Sequence, residues 1–446
     1  MSGGPVAPVT RQLRPYPQYG CFDDPWLDRI PSSWSFTKLG AVASVKARLG
    51  WRGLKASEYV DDGFIFLNTP NIKGTRIDFD DVDHITAERH YESPEIILRE
   101  GDVLIAKDGS TLGIVNVVRS LPVPATVNSS IAVIRPLERL NSVYCFYFLA
   151  SHYTQSMIGR MKDGMGVPHL FQADLRKFTI LLPPEADQAA ISEFLDRETA
   201  RIDALIEKKE RLITLLEEKR AALINRAVTK GLDPNAPMKD SGAPWLGTVP
   251  AHWELKQLKW AITFQRGHDL PSEERSAGAV PVVSSGGRSG DHSVAAACGP
   301  GIVTGRYGTI GQFQLIEGDY WPLNTTLYST DLHGNDPAFL HSMLTHLAPL
   351  FLLNAVKSAV PGVDRNDVHP TLTAVPPIEE QRAIAHFLDH ANSRIDRVTA
   401  KIREQIAKFH ECRTALISAA VTGKIDVRDP GPAPAEFDKH SQIDEH

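Results

Sequence analysis

Four stretches of this 446-residue sequence hold residue types that could do chemistry, and none of them completes a catalytic set. Gly301-Ile-Val-Thr-Gly-Arg-Tyr-Gly-Thr309 is glycine-rich, as a phosphate loop must be for its backbone N–H groups to cradle an anion, but Arg306 and Tyr307 stand where that loop needs Gly-Lys. Gly109-Ser-Thr-Leu-Gly113 reads as a turn between strands. Glu207-Lys-Lys209 and Glu217-Glu-Lys219 resemble fragments of a nuclease acid-x-lysine triplet. Both lie in a helical stretch, where residues two apart point to different faces, so surface ion pairing is the better account. No nucleophile elbow, H-E-x-x-H pair or dinucleotide fingerprint occurs, and Gly164-Met-Gly166 alone is too short for the last. The 16 histidines are scattered without ligand spacing. Cys21, Cys145, Cys298 and Cys412 lie more than 100 residues apart, which suggests neither a disulfide framework nor a zinc site. A non-catalytic chain in a reducing, cytoplasmic setting is expected.

What must be positioned is therefore a binding surface, and the chain shows its organisation by repeating itself. Pro183-Pro184, Gln188, Ile191, Phe194-Leu195-Asp196 and Arg201-Ile202-Asp203 recur as Pro376-Pro377, Gln381, Ile384, Phe387-Leu388-Asp389 and Arg394-Ile395-Asp396. The offset is 193, and it also carries Ala222-Leu223-Ile224 and Ala227-Val228-Thr229 onto Ala415-Leu416-Ile417 and Ala420-Val421-Thr422. Without a gap, 21 of 47 positions are identical. A second repeat opens each half: Pro25-Trp26-Leu27, Pro31, Trp34 and Leu39 match Pro244-Trp245-Leu246, Pro250, Trp253 and Leu258 at an offset of 219. The first half thus holds 26 more residues between its opening motif and its helix. Similar ends around a divergent middle suggest one scaffold carrying two different readers.

Residues 185–229 contain neither Pro nor Gly and are rich in helix formers. Leu195, Ile202, Leu216 and Leu223 share one seven-residue series, with Lys209 its only polar member. Leu388, Ile395, Ile402, Phe409 and Leu416 fill the same series in the second copy. That is a coiled-coil seam over about four heptads, on helices of about 65 Å. Two such helices in one chain can pair antiparallel, which predicts approximate two-fold symmetry. In the globular parts, Gly63–Leu67, Asp102–Ala106, Ile114–Val118 and Ile131–Ile134 read as strands, and Val143–Met157 and Phe339–Leu353 as helices. The expected fold class is α+β. Its parts are a flexible N-terminus (1–22), a first mixed α/β domain (23–182), a first helix (183–232), a second domain (233–375), a second helix (376–426) and an acidic flexible tail (427–446).

The net charge of −6 is no footprint of nucleic-acid binding, and it neither supports nor excludes that role. The nearly apolar stretch His346–Val356 is far short of the roughly 20 residues a bilayer span needs. No membrane association is expected.

The repeated phrases resemble one family. Lys239-Asp-Ser-Gly-Ala-Pro-Trp-Leu-Gly-Thr-Val-Pro-Ala-His-Trp253 is similar to the opening of a target recognition domain in the specificity (S) subunits of type I restriction–modification systems. Pro376-Pro-Ile-Glu-Glu-Gln-Arg-Ala-Ile-Ala-His-Phe-Leu-Asp389 resembles that family's conserved helix, and Val360-Pro-Gly-Val-Asp-Arg-Asn-Asp367 the segment leading into it. Weaker versions stand at Pro25-Trp-Leu, Gly166-Val-Pro and Pro183-Pro. The resemblance implies a chain without catalytic activity, holding two target recognition domains on an antiparallel coiled coil. Each domain would read one part of a gapped site on double-stranded DNA. Two methyltransferase (M) subunits would dock on the scaffold and bring S-adenosylmethionine. Motor-nuclease (R) subunits, with ATP and Mg, would join for cleavage.

On that reading the candidate DNA-binding residues are Lys107, Ser110, Thr111, Asn128 and Ser129 in the first domain. In the second they are Arg306, Tyr307, Thr309, Asn324 and Thr325. Lys and Arg donate to guanine, and Asn pairs bidentately with adenine. Each can equally be a turn-stabilising side chain. Trp51, with Arg48, Arg52 and Lys55, is a further basic–aromatic cluster. Arg201, Asp203, Arg394 and Asp396, taken as lying opposite the seam, suit either M-subunit docking or local ion pairs. The rival function is a coiled-coil adaptor whose two globular domains bind proteins.

Overall fold

The structure, a computed structural model, describes residues 14–24, 27–48, 58–162, 169–355 and 362–428. The chain divides into two compact units, Met1–Glu207 with Ile406–His446, and Lys208–Gln405. Among the motifs above, Pro25-Trp26, Trp51 with Arg52 and Lys55, Gly164–Pro168, Val360-Pro361 and most of the acidic tail lie outside the described residues.

In the first unit a four-stranded antiparallel sheet runs in the order Ala43–Lys46, Ile131–Pro136, Val103–Ala106, Val115–Val117. Val103–Ala106 is buried along its whole length, consistent with its β-branched and apolar composition. A second sheet pairs Tyr59–Leu67 antiparallel with Asp83–Ile85 and parallel with Ala125–Val127. Ser35–Lys38 pairs with Thr179–Leu182, which leads straight into the first long helix.

The second unit repeats this plan strand for strand. Its four-stranded sheet has the order Thr263–Arg266, Thr326–Asp331, Gly301–Gly305, Phe313–Ile316. Val280–Ser284 pairs antiparallel with Gly287–His292 and parallel with Trp321–Pro322. Glu254–Gln257 pairs with Leu372–Val375 ahead of the second long helix. Most of the extra length of the first half lies between equivalent strands, in residues 68–102 against 285–300.

Two expectations differ from what is found. Val143–Met157 is not one helix but two, Ser142–Ala150 and His152–Lys162. The break is at Ser151, whose extended backbone stops the first helix while its buried hydroxyl donates to the Phe148 carbonyl at 2.6 Å. Residues 14–22 are not a loose lead-in. Tyr19–Asp24 forms a hairpin with Leu27–Pro31, Tyr16 and Phe22 are buried, and the Asp426 N–H donates to the Arg14 carbonyl at 2.7 Å.

The long helices are Glu185–Lys230 and Ile378–Val421, each opening after a Pro-Pro with acidic residues in its first turn, where the helix dipole favours them. Gly231 and Gly423 follow them at φ +72 and +73, the left-handed turn that glycine permits. Each glycine also meets an opening motif, Gly231 against Trp253 and Pro250, Gly423 against Trp34 and Pro31. The two repeated blocks therefore pack on each other.

Gln188 and Gln381 explain another repeated position. Gln188 is buried, donates to the Pro183 carbonyl at 3.0 Å and accepts from the Asn141 N–H at 2.8 Å. Gln381 donates to the Pro376 carbonyl at 2.9 Å and accepts from the Asp336 N–H at 2.8 Å. Each glutamine clamps the start of its helix to the domain before it.

Within each unit the long helices run antiparallel. In the first, Leu195 joins Ile417 and Ala420 in the core, and Asp203 pairs with Arg413 at 3.0 Å. In the second, Lys209 donates to Gln405 at 2.7 Å, Arg220 pairs with Asp396, and Ile224 and Val228 share a core with Leu388 and Ile384. Leu195, Leu388, Ile395 and Ile402 of the seam are buried, and Ile202, Leu216, Leu223, Phe409 and Leu416 half-buried. Asp203 and Asp396 flank the seam and serve as its cross-helix ion pairs, whereas Arg201 and Arg394 are exposed. Among the described residues no helix is long and apolar enough to cross a membrane.

Candidate nucleic-acid interface

In both domains one of the two inner strands of the four-stranded sheet leads into a cation. Val103–Ala106 runs into Lys107, and Gly301–Gly305 into Arg306. The backbone around each is held alike. The Lys107 N–H donates to Ser130 and its carbonyl accepts from Leu170, both at 2.8 Å. The Arg306 N–H donates to Thr325 at 2.8 Å and its carbonyl accepts from Val363 at 3.0 Å. Three segments thus converge on one strand end, the place where a sheet of this kind displays side chains from its loops.

The first-domain candidates divide by what holds them. The Lys107 ammonium lies 3.3 Å from Asp108, whose carboxylate also contacts His169. The Thr111 hydroxyl donates to the Asp108 carbonyl at 3.1 Å and closes the turn. Asn128 accepts from the Ser130 N–H and donates to Asn68, both at 3.0 Å. Ser110 and Ser129 are exposed.

In the second domain the Arg306 guanidinium stacks over the Tyr307 ring at 5.3 Å, reaches the Asn324 carbonyl at 3.4 Å and lies 4.0 Å from Asp364. Thr309 donates to the Ser285 carbonyl, Thr325 accepts from the Ser285 N–H at 3.4 Å, and Asn324 pairs with Asp269. Asn128, Thr309, Asn324 and Thr325 accordingly shape the loops, while Ser110, Ser129 and Tyr307 face outward.

Sequence reasoning missed four residues that meet Lys107. His169, Phe171, Gln172 and Arg176 line with it a concavity of about 320 Å³. Cations, a side-chain amide and an aromatic ring around one hollow are a set suited to base edges and phosphates. The signal for them lay in the sequence, because the offset of 193 extends back past the helix and carries Leu170 onto Val363 and Leu175 onto Val368. The Gln172–Lys177 helix is thereby the counterpart of Arg365–Val368. Among the described residues no group of three or more His, Cys, Asp or Glu could hold a metal ion.

Residues 31–215 match the family model of the type I restriction modification DNA specificity domain. The chain is similar to the specificity subunit of the type I restriction enzyme EcoKI from Escherichia coli (strain K12), with 19% identity over 89% of this chain and 90% of that one. The fold is shared with a chain solved in a study of complex assembly and conformational transition of the type I R-M system. The TM-score is 0.69 at 16% identity, covering 89% of this chain and 99% of the other. It is shared also with the HsdS subunit from Thermoanaerobacter tengcongensis, at a TM-score of 0.50 and 17% identity over 89% and 98% of the two chains. The chain is thus a protein with a type I DNA specificity domain in its first half. Over 89% of its length it is similar to a type I restriction enzyme specificity subunit.

Proposed function

We propose that this chain is the non-catalytic DNA-reading subunit of a type I restriction–modification complex, each globular domain reading one half of a bipartite, gapped target. The observation that carries this reading is the repetition of one sheet plan in which the equivalent inner strand leads both times into a cation, with different neighbours around it. Equal scaffolds with unequal surroundings suit two different half-sites. Phosphate contacts position such a protein and base-edge contacts specify its site.

The long helices set the spacing between half-sites and carry two methyltransferase subunits. In the second unit a groove of about 630 Å³ runs between them, floored by Leu216, Leu223, Phe387 and Ile395 and rimmed by Lys219, His390, Arg394 and Arg397. An apolar floor with a basic rim suits an amphipathic helix with acidic flanks. S-adenosylmethionine belongs to the methyltransferase, ATP and Mg to the motor-nuclease subunits, and this chain reads DNA beside them in the cytoplasm.

The test is retention of a library of duplexes on the chain with and without the adenine methyltransferase encoded beside it. Sequence-selective retention by the pair supports the reading. Retention without sequence preference, with the pair assembled, favours the protein-binding adaptor.

A further inference from the structure

Phe171 is out of place by every local criterion. It is the N-cap of Gln172–Lys177, a position that favours a side chain able to accept from the first free N–H groups, and it makes no such bond. It is also a large apolar ring that remains 60% exposed. Its counterpart at the offset of 193, Asp364, does what the position asks. The Asp364 carboxylate accepts from the Asn366 N–H at 3.1 Å, and Asp367 accepts from the Asp364 N–H at 2.8 Å.

The same exchange runs in reverse one strand away. After Lys107 the first domain has Asp108; after Arg306 the second has Tyr307, 43% exposed. Each domain therefore places one acid and one exposed ring beside its strand-end cation, with the two attachment points swapped. The neighbours agree with the swap. In the first domain His169 packs edge-on to Phe171 at 4.3 Å. In the second, Gly362 takes that place, and a Cβ there would meet the Tyr307 ring at 2.6 Å. An exposed ring kept beside the cation from either side, even where it leaves a helix uncapped, is what a recognition surface requires and a stability-driven surface does not.

We propose that Phe171 and Tyr307 are the specificity-determining aromatic residues of the two domains, and that Phe171 reads a thymine of the first half-site through its C5-methyl group. A phenyl ring has no donor or acceptor, so the base edge it distinguishes must be apolar, and the thymine methyl is the apolar feature of the major groove. Lys107, Gln172 and Arg176, around the same hollow, supply hydrogen bonds to adjoining edges and phosphates.

This inference rests on the DNA-reading function proposed above, and its test separates the two. The full chain is co-expressed with its methyltransferase in a methylation-free host, as wild type, Phe171→Ser and Tyr307→Ser, and methylated adenines are mapped. A wild-type map without a gapped motif overturns the underlying function, whatever the variants do. With a wild-type motif in hand, Phe171→Ser is expected to make one thymine position of a single half-site degenerate and leave the other half-site intact, while Tyr307→Ser does the converse. Serine restores an N-cap, so the Phe171→Ser melting temperature should not fall below that of the wild type. On purified complexes, uracil in place of that thymine should slow wild-type methylation about tenfold, the scale of one buried methyl contact, and leave Phe171→Ser unaffected. An unchanged half-site in Phe171→Ser, or no thymine in it that uracil affects, overturns the inference.

Discussion

At the residue scale, polar groups are placed by burial and by what they bond. Asp102 is almost wholly buried, accepts from Arg99 N–H at 2.8 Å and receives both arms of Arg135 at 2.7 Å. Arg135→Ala leaves that carboxylate uncompensated beside the strand that carries Lys107. It should destabilise the first domain by about 3 kcal/mol, measured by urea denaturation, whereas Lys177→Ala on the exposed face should change little. His369 makes a pH prediction. Burial first, and then the nearby Arg365, hold its imidazole below the usual histidine range, and its Nε2 accepts from the Phe264 N–H at 3.0 Å. Only the neutral ring can accept. The unfolded chain therefore takes up the proton first, and the stabilisation, complete above about pH 6.5, is lost as pH falls through the lower folded value. The protection factor of the Phe264 amide should fall as pH drops across that window. A flat protection factor from pH 7.5 to 5 would contradict this.

At the element scale, the long helices were legible because apolar residues at seven-residue spacing record which face is buried. The paired strands were legible because short β-branched runs record a buried sheet. The break at Ser151 was not legible, since it depends on a hydroxyl returning to its own helix. Nor was the hollow around Lys107, because His169 and Phe171 are held at the strand end by a long-range bond, Leu170 N–H to the Lys107 carbonyl, which leaves no local pattern. The repeat itself does carry a pointer to the site, since the offset of 193 sets Phe171 against Asp364. The reciprocal pairs Arg413–Asp203 and Arg220–Asp396 fix the helix register but are partly solvated. Asp396→Ala should cost no more than about 1 kcal/mol. Ile395→Ala, one residue away and buried in the seam, should cost about 2–4 kcal/mol. Thermal unfolding of the two variants decides whether apolar packing or charge holds the helices together; equal losses would contradict the packing account.

At the scale of the whole molecule, duplication makes the two specificities separable. Exchanging residues 263–331 for the matching segment of a related chain should change one half-site and leave the other and the gap untouched. Lengthening both long helices by one heptad should change the gap and neither half-site. The central claim is that one chain reads two separated half-sites, and adenine-methylation mapping by single-molecule sequencing tests it most directly. The host should be methylation-free and express this chain with its neighbouring methyltransferase. The account predicts one gapped, two-part motif that is absent when the methyltransferase is expressed alone. A contiguous motif, or no new motif from an assembled pair, would contradict it.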